Sequence, residues 1–219
     1  MRVIVIASQK GGVGKTTVAG HLAVEAEARG AGPVALIDTD PQGSLAAWWN
    51  ARAAETPLFA HAGIKELSGH LAALRSGGIQ LVIVDTPPAI TSAISAVVKY
   101  ADLVIIPSRP SPHDLRAVGA TVDLVDAEHK QMIFVLNGAT ARTRISSDAA
   151  IALSQHGTVA PITLHHRTDF ASAMTDGRVA GEIDPTSNSA KEVAELWAYV
   201  NARLSKSVSA RHRNCVTGE

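Results

Sequence analysis

"RVIVIASQKGGVGKTTVAGHLAVEAEARG", residues 2–30, decides the fold. It opens on an apolar run over 2–7, short enough for a buried strand. It then passes through glycines 11, 12 and 14 and continues as a helix-forming stretch that stops at Gly30. Strand, glycine-rich loop and helix, in that order, form the context of a phosphate-binding loop. Glycines in the loop let backbone N–H groups approach phosphate oxygens without side-chain obstruction. The helix N-terminus adds its positive dipole end. Lys15 is placed for the β- and γ-phosphates and Thr16 for Mg²⁺. Gly11, Gly12, Val13, Gly14, Lys15, Thr16 and Thr17 are the candidate nucleotide-binding residues.

The loop departs from the usual G-x-x-x-x-G-K-[ST] pattern. Gln9 stands where the first glycine is expected, and Lys10 adds a second lysine. A loop lysine is ordinarily just a solvated charge, so Lys10 needs a reason.

Working outward, apolar runs over 34–38, 81–85, 103–107 and 132–137 repeat the first one, and 159–164 is a weaker case. They are apolar throughout, as strands covered on both faces are. Helical patterns fall at about 15–29, 44–54, 64–75, 91–100, 112–128, 145–155 and 188–205. The alternation predicts an α/β fold, a mostly parallel twisted sheet with helices on both faces; together with the phosphate-loop motif it reads as a single P-loop NTPase domain over 1–205. Residues 206–219, "KSVSARHRNCVTGE", lack apolar periodicity and read as a flexible basic tail.

The 219 residues are 46% hydrophobic and 18% charged, with zero formal net charge. That composition excludes a disordered chain. No apolar run approaches the roughly 20 residues that span a bilayer, and the opening run is too short for a secretory leader. The single cysteine, Cys215, excludes an internal disulfide and a thiolate cluster. The expected location is the cytoplasm. A neutral chain is not a nucleic-acid binder by overall charge, so any such role rests on local cations.

Two acidic segments follow strands. "ALIDTDPQGS" (35–44) carries Asp38 and Asp40, with Gln42 in the same turn; two carboxylates there also suit the capping of a helix that starts near Ser44. "LVIVDTPPA" (81–89) is four apolar residues ending in Asp85, the pattern of a carboxylate that reaches Mg²⁺.

Taken together, "KGGVGKTT", "DTDPQG", "LVIVDTPP" and "LVIIPSRPSPHDLRA" (103–117) resemble the ParA/MinD family of deviant Walker A ATPases, and the short length resembles its ParF-like members. The resemblance covers about 1–205. It implies ATP and Mg²⁺ as ligands and a homodimer that forms on ATP. In that dimer Lys10 reaches the nucleotide of the second subunit. It further implies that Asp38 sits near the metal with Thr16 and Asp85, that Asp40 orients the attacking water, and that Thr86, Pro87 and Pro88 form a second switch. Asn137, after "FVLN", is a candidate adenine contact, with a plain turn residue as its alternative. Lys10, Lys15 and Asp40 are thus the candidate catalytic residues.

The implied function is a ParA-type ATPase. It dimerises on ATP, binds DNA without sequence preference on the nucleoid, and positions a cargo with a partner that stimulates hydrolysis. Arg203, Lys206, Arg211 and Arg213 are candidate DNA contacts, with Arg142, Arg144, Arg167 and Arg178 as further local cations; a solubilising tail is the plain alternative. A MinD-like membrane switch is the runner-up, and it lacks an amphipathic C-terminal face here. A metabolic enzyme of the same fold is the third reading.

Overall fold

The computed structural model describes the backbone of residues 1–88 and 91–216, and the side chains of 1–88 and 92–205. Strands β1 (Arg2–Ile6), β2 (Val34–Asp38), β3 (Leu58–His61), β4 (Leu81–Asp85), β5 (Leu103–Ser108), β6 (Met132–Ala139) and β7 (Leu164–His165) form one sheet in the order β3-β2-β4-β1-β5-β6-β7. Every pairing is parallel.

Successive side chains of a strand point to opposite faces, and the core divides accordingly. Ile4, Ile6, Leu36, Ile83 and Ile105 face one layer, built from helices α1 (Lys15–Ala28), α2 (Ser44–Asn50), α7 (Thr168–Met174), α8 (Ala180–Ile183) and α9 (Asn188–Val216). Val5, Ile37, Val84, Ile106 and Phe134 face the other, built from α3 (Leu67–Ser76), α4 (Thr91–Val98), α5 (Pro112–Ala127) and α6 (Arg144–Ser154). Both faces are covered, which is why the strands read as unbroken apolar runs.

The structure departs from the expected elements in four places. Strand β3 was not expected: Pro57 precedes it and only its middle residues are half-buried, so this edge strand has neither an apolar run nor clean alternation. The expected strand over 159–164 is reduced to an isolated bridge between Phe134 and Val159 and the two residues of β7; Pro161 between them has no N–H to donate. Helices α7 and α8 were not expected in 168–183, and the backbone of α9 continues as helix to Val216, past the expected end at 205.

A polar seam fastens α1 and α2 to the segment around α8. The buried His21 ring meets the Thr17 carbonyl at 2.9 Å through Nδ1 and accepts the Ala180 N–H at 3.1 Å through Nε2. Trp48 Nε1 donates to the Arg178 carbonyl at 3.0 Å. Arg52 donates to the Gly177 carbonyl at 2.8 Å and forms a bidentate pair with Glu182 at 2.8 and 2.5 Å. Gly177 has φ 78°, and a Cβ there would lie 2.3 Å from the Arg52 backbone. Only glycine permits that approach.

Candidate nucleotide site

Strand β1 lies at the centre of the sheet, with β4 on one side and β5 on the other. The chain leaves β1 for the β2 side and later crosses to β5, so the crevice beyond the C-terminal end of β1 is a topological switch point, where ligands bind in such sheets. The glycine loop occupies that place. Gly14, at φ 91°, forms the N-cap of α1, which has no side-chain cap and no acidic residue in its first turn. Its orphan N–H groups and dipole are left for an anion.

The loop borders a cavity of about 400 Å³, lined by Gly11, Gly12, Gly14, Lys15, Thr16, Asp40, Gln42, Ser44 and Pro88. A cavity of about 350 Å³ near Arg2, Gln80, Trp197 and Asn201 has no such convergence of loop, helix terminus and carboxylates.

The candidate residues meet as follows. Lys15 is buried and its Nζ donates to the Lys10 carbonyl at 3.2 Å. Burial lowers its pKa, opposed by the charges of Asp85 and Asp40. Thr16 Oγ1 donates to Asp85 Oδ2 at 2.6 Å. Asp85 stands in register with Ile6 of β1 and with Asp38 of β2, so adjacent strands end in carboxylates side by side. Its other oxygen, Oδ1, is buried without a hydrogen-bond partner among the described residues. Burial pushes the Asp85 carboxyl up to about 7, against the Thr16 hydrogen bond.

Asp38 is bound differently. Its Oδ1 accepts the Asp40 N–H at 2.9 Å and its Oδ2 the Ala46 N–H at 3.0 Å. Asp38 therefore caps α2 and shapes the turn that carries Asp40, and burial raises its pKa. Asp40 is half-buried at the cavity wall, and its Oδ1 accepts the Gln42 N–H at 3.0 Å.

Asn137, at the end of β6, donates from Nδ2 to the Val13 carbonyl at 2.7 Å. A Cβ on Gly14 would lie 2.2 Å from that nitrogen. The amide nitrogen thus holds the loop itself, a role the sequence reading missed.

Two supporting threonines complete the edge. Thr39 Oγ1 donates to the Asp85 carbonyl at 2.6 Å and Thr86 Oγ1 to the Ile6 carbonyl at 2.9 Å. Thr39 was not singled out from the sequence, although a threonine directly after a strand-end Asp is the available signal.

Among the described residues no three His, Cys, Asp or Glu side chains cluster as a metal cage. The site suits a cation that keeps most of its water and takes phosphate oxygens as ligands. The unpartnered Asp85 Oδ1 beside the Thr16 hydroxyl fits Mg²⁺ in that manner.

Arg203 donates to the Tyr199 hydroxyl of its own helix at 2.9 and 3.1 Å. Arg144, Arg167 and Arg178 pair with Asp148, Glu192 and Asp176. The side chains of Lys206, Arg211 and Arg213 lie outside the described residues. Among the described residues no helix is long and apolar enough to cross a membrane.

Comparison with known proteins agrees with this geometry. The model for the CobQ/CobB/MinD/ParA nucleotide binding domain matches residues 4–178. The maintenance of carboxysome distribution protein A of Gloeobacter kilaueensis is 45% identical over 124 residues, 55% of either chain. This chain thus spans about half the length of that relative. Protein ParA of Rhizobium radiobacter is 32% identical over 148 residues, 67% of this chain and 66% of the other. The septum site-determining protein MinD of Pyrococcus horikoshii, solved with Mg-ADP, shares the fold at a TM-score of 0.74 and 18% identity, covering 91% of this chain and 95% of that one. With the family model spanning most of the sequence and a phosphate loop at the switch point of a parallel sheet, the chain belongs to the CobQ/CobB/MinD/ParA nucleotide binding domain family.

Proposed function

We propose that this protein is a ParA-type ATPase. It binds Mg-ATP, dimerises on it, holds nonspecific DNA and positions or segregates a cargo. A cargo-bound partner protein stimulates hydrolysis. The observation that carries the reading is the division between the two loop lysines. Lys15 is buried toward the cavity, whereas Lys10, whose carbonyl Lys15 holds, is exposed.

Lys15 is positioned to meet the β- and γ-phosphates, together with the N–H groups at the start of α1. Thr16 and Asp85 would hold Mg²⁺, which would supply charge neutralisation for the phosphates. Asp40, at the cavity wall, orients the attacking water, and its turn is fixed by Asp38. ATP carries more negative charge than one lysine and one divalent cation neutralise. An ammonium from a second chain is favourable there, and groups supplied in trans are worth about 10³–10⁵ in rate. Lys10 is that group.

The cargo is a large assembly to be distributed in the cell: a plasmid, a chromosome or a protein complex. The relatives named for ParA and for carboxysome distribution support this class. The protein acts in the cytoplasm, on the nucleoid.

Lys10→Ala tests the reading. The variant is expected to bind ATP as a monomer and to lose both the ATP-dependent dimer and turnover. A wild-type dimer in light scattering at saturating ATP sinks the proposal.

A further inference from the structure

The outer arm of the phosphate loop hangs from α5. Thr121 is fully buried on that helix, among Val118, Val122 and Val125 on a stripe that begins at Asp114. A hydroxyl on an apolar face is costly unless it is hydrogen-bonded. Thr121 Oγ1 accepts the Gln9 N–H at 3.2 Å, a contact across 112 residues of sequence. Gln9 stands at the position where the usual loop has its first glycine.

The next residue is Lys10. Its N–H donates to Ser8 Oγ at 3.2 Å, and Ser8 is buried. Its carbonyl accepts from Lys15 Nζ at 3.2 Å. The backbone of Gln9 and Lys10 is therefore fastened at three points while the Lys10 side chain faces outward. An ammonium on a flexible four-carbon stem is poorly placed unless its root is fixed, and α5 provides the most distant of the three anchors.

We propose that Thr121 is a positioning residue for Lys10, acting through the backbone of Gln9. This rests on the reading of Lys10 as a charge offered to a second subunit. Thr121 touches no nucleotide in this account; it sets where the lysine begins.

The test uses the full chain with Thr121→Val, Thr121→Ser, Lys10→Ala and the Thr121→Val/Lys10→Ala double variant. Valine keeps the shape of threonine and removes the acceptor. In the nucleotide-free monomer, amide hydrogen exchange over residues 7–14 is expected to rise about tenfold in Thr121→Val. ATP affinity by calorimetry should stay within about threefold, while dimerisation and turnover each fall about tenfold, as expected when a group is misplaced by a fraction of an ångström. Thr121→Ser should restore both. Thr121→Val should add no further loss to Lys10→Ala, because the two act in one path.

Unchanged exchange and turnover in Thr121→Val, beside an impaired Lys10→Ala, overturn the proposal alone. So does a loss of ATP affinity that matches the loss of dimer, which marks general loosening of the core. Wild-type dimerisation and turnover in Lys10→Ala instead overturn the reading on which the proposal rests.

Discussion

Two regions of the molecule bury polar groups in opposite ways. Along the seam behind α1, the His21 ring, the Trp48 indole and the Arg52 guanidinium all have partners. At the front edge, Asp85 Oδ1 is the buried side-chain oxygen or nitrogen left without one among the described residues. A buried, unpaired acceptor costs stability, and a fold does not retain one at its ligand crevice without return. The seam's polar groups serve structure, and on the proposed function the edge serves the ligand. Within the edge, Asp38, whose oxygens hold the following turn, differs from Asp85, which has an oxygen to offer.

The comparison breaks first at Asp40. If the edge carries the chemistry, Asp40→Ala should form and retain the ATP dimer while turnover falls about 100- to 1,000-fold, the range of a lost proton-transfer or water-orienting group. Single-turnover hydrolysis at wild-type rate removes Asp40 from the mechanism.

The next test separates the two strand-end carboxylates. Asp85→Ala should weaken Mg²⁺-dependent nucleotide binding about 10- to 100-fold. Asp38→Asn should retain that dependence and lose fold stability instead, by about 1–2 kcal/mol, because it disturbs a helix cap. A magnesium titration followed by calorimetry checks both, and equal loss of magnesium dependence in the two variants erases the distinction.

Much of this edge was legible in the sequence. Residues 2–30 specified strand, loop and helix because glycine spacing and apolar runs are local signals. Lys15, Thr16, Asp38, Asp40 and Asp85 could be read toward one edge of the sheet, since each lies at or beyond the C-terminal end of a strand; the roles of Asp38 and Asp40 came only from the family resemblance. The bond from Asn137 to Val13 was not legible, because it joins residues 124 apart and nothing in "FVLN" states which way the amide points. The seam was invisible for the same reason. Arg52 lies 130 residues from Glu182, and the residues around 177 look like an ordinary polar turn. Strand β3 was missed because an edge strand buries too little to show a pattern.

The seam makes its own predictions, smaller than those at the edge. Arg52 is a buried cation with a side-chain exposure of 3%. Arg52→Ala removes the bonds to Glu182 and to the Gly177 carbonyl and should cost about 1–2 kcal/mol. Nucleotide affinity should stay near wild type. A large affinity loss at unchanged melting temperature would mean the seam belongs to the site after all.

The smallest effect concerns His21 and its sign is fixed by its surroundings. Burial lowers its pKa from 6.5 to about 4, with the Thr17 carbonyl opposing the shift. The Ala180 N–H points at Nε2, so that nitrogen must carry a lone pair, and a second proton would break the contact. The unfolded chain therefore binds more protons than the folded one between pH 6.5 and about 4. Stability from this group is present above pH 6.5 and is lost as pH falls through that window. Between pH 7 and pH 5.5 the loss is about 1 kcal/mol. Asp85, shifted the other way, adds an opposing trend, so the measurement is the difference between wild type and His21→Gln. The amide of glutamine offers one donor and one acceptor without titrating. The wild type should therefore lose ground to the variant as pH falls from 7 to 5.5 in thermal melts without nucleotide. A difference that stays constant over that range would show that His21 is no buried neutral link between α1 and α8, and that the seam is less completely paired than the edge comparison requires.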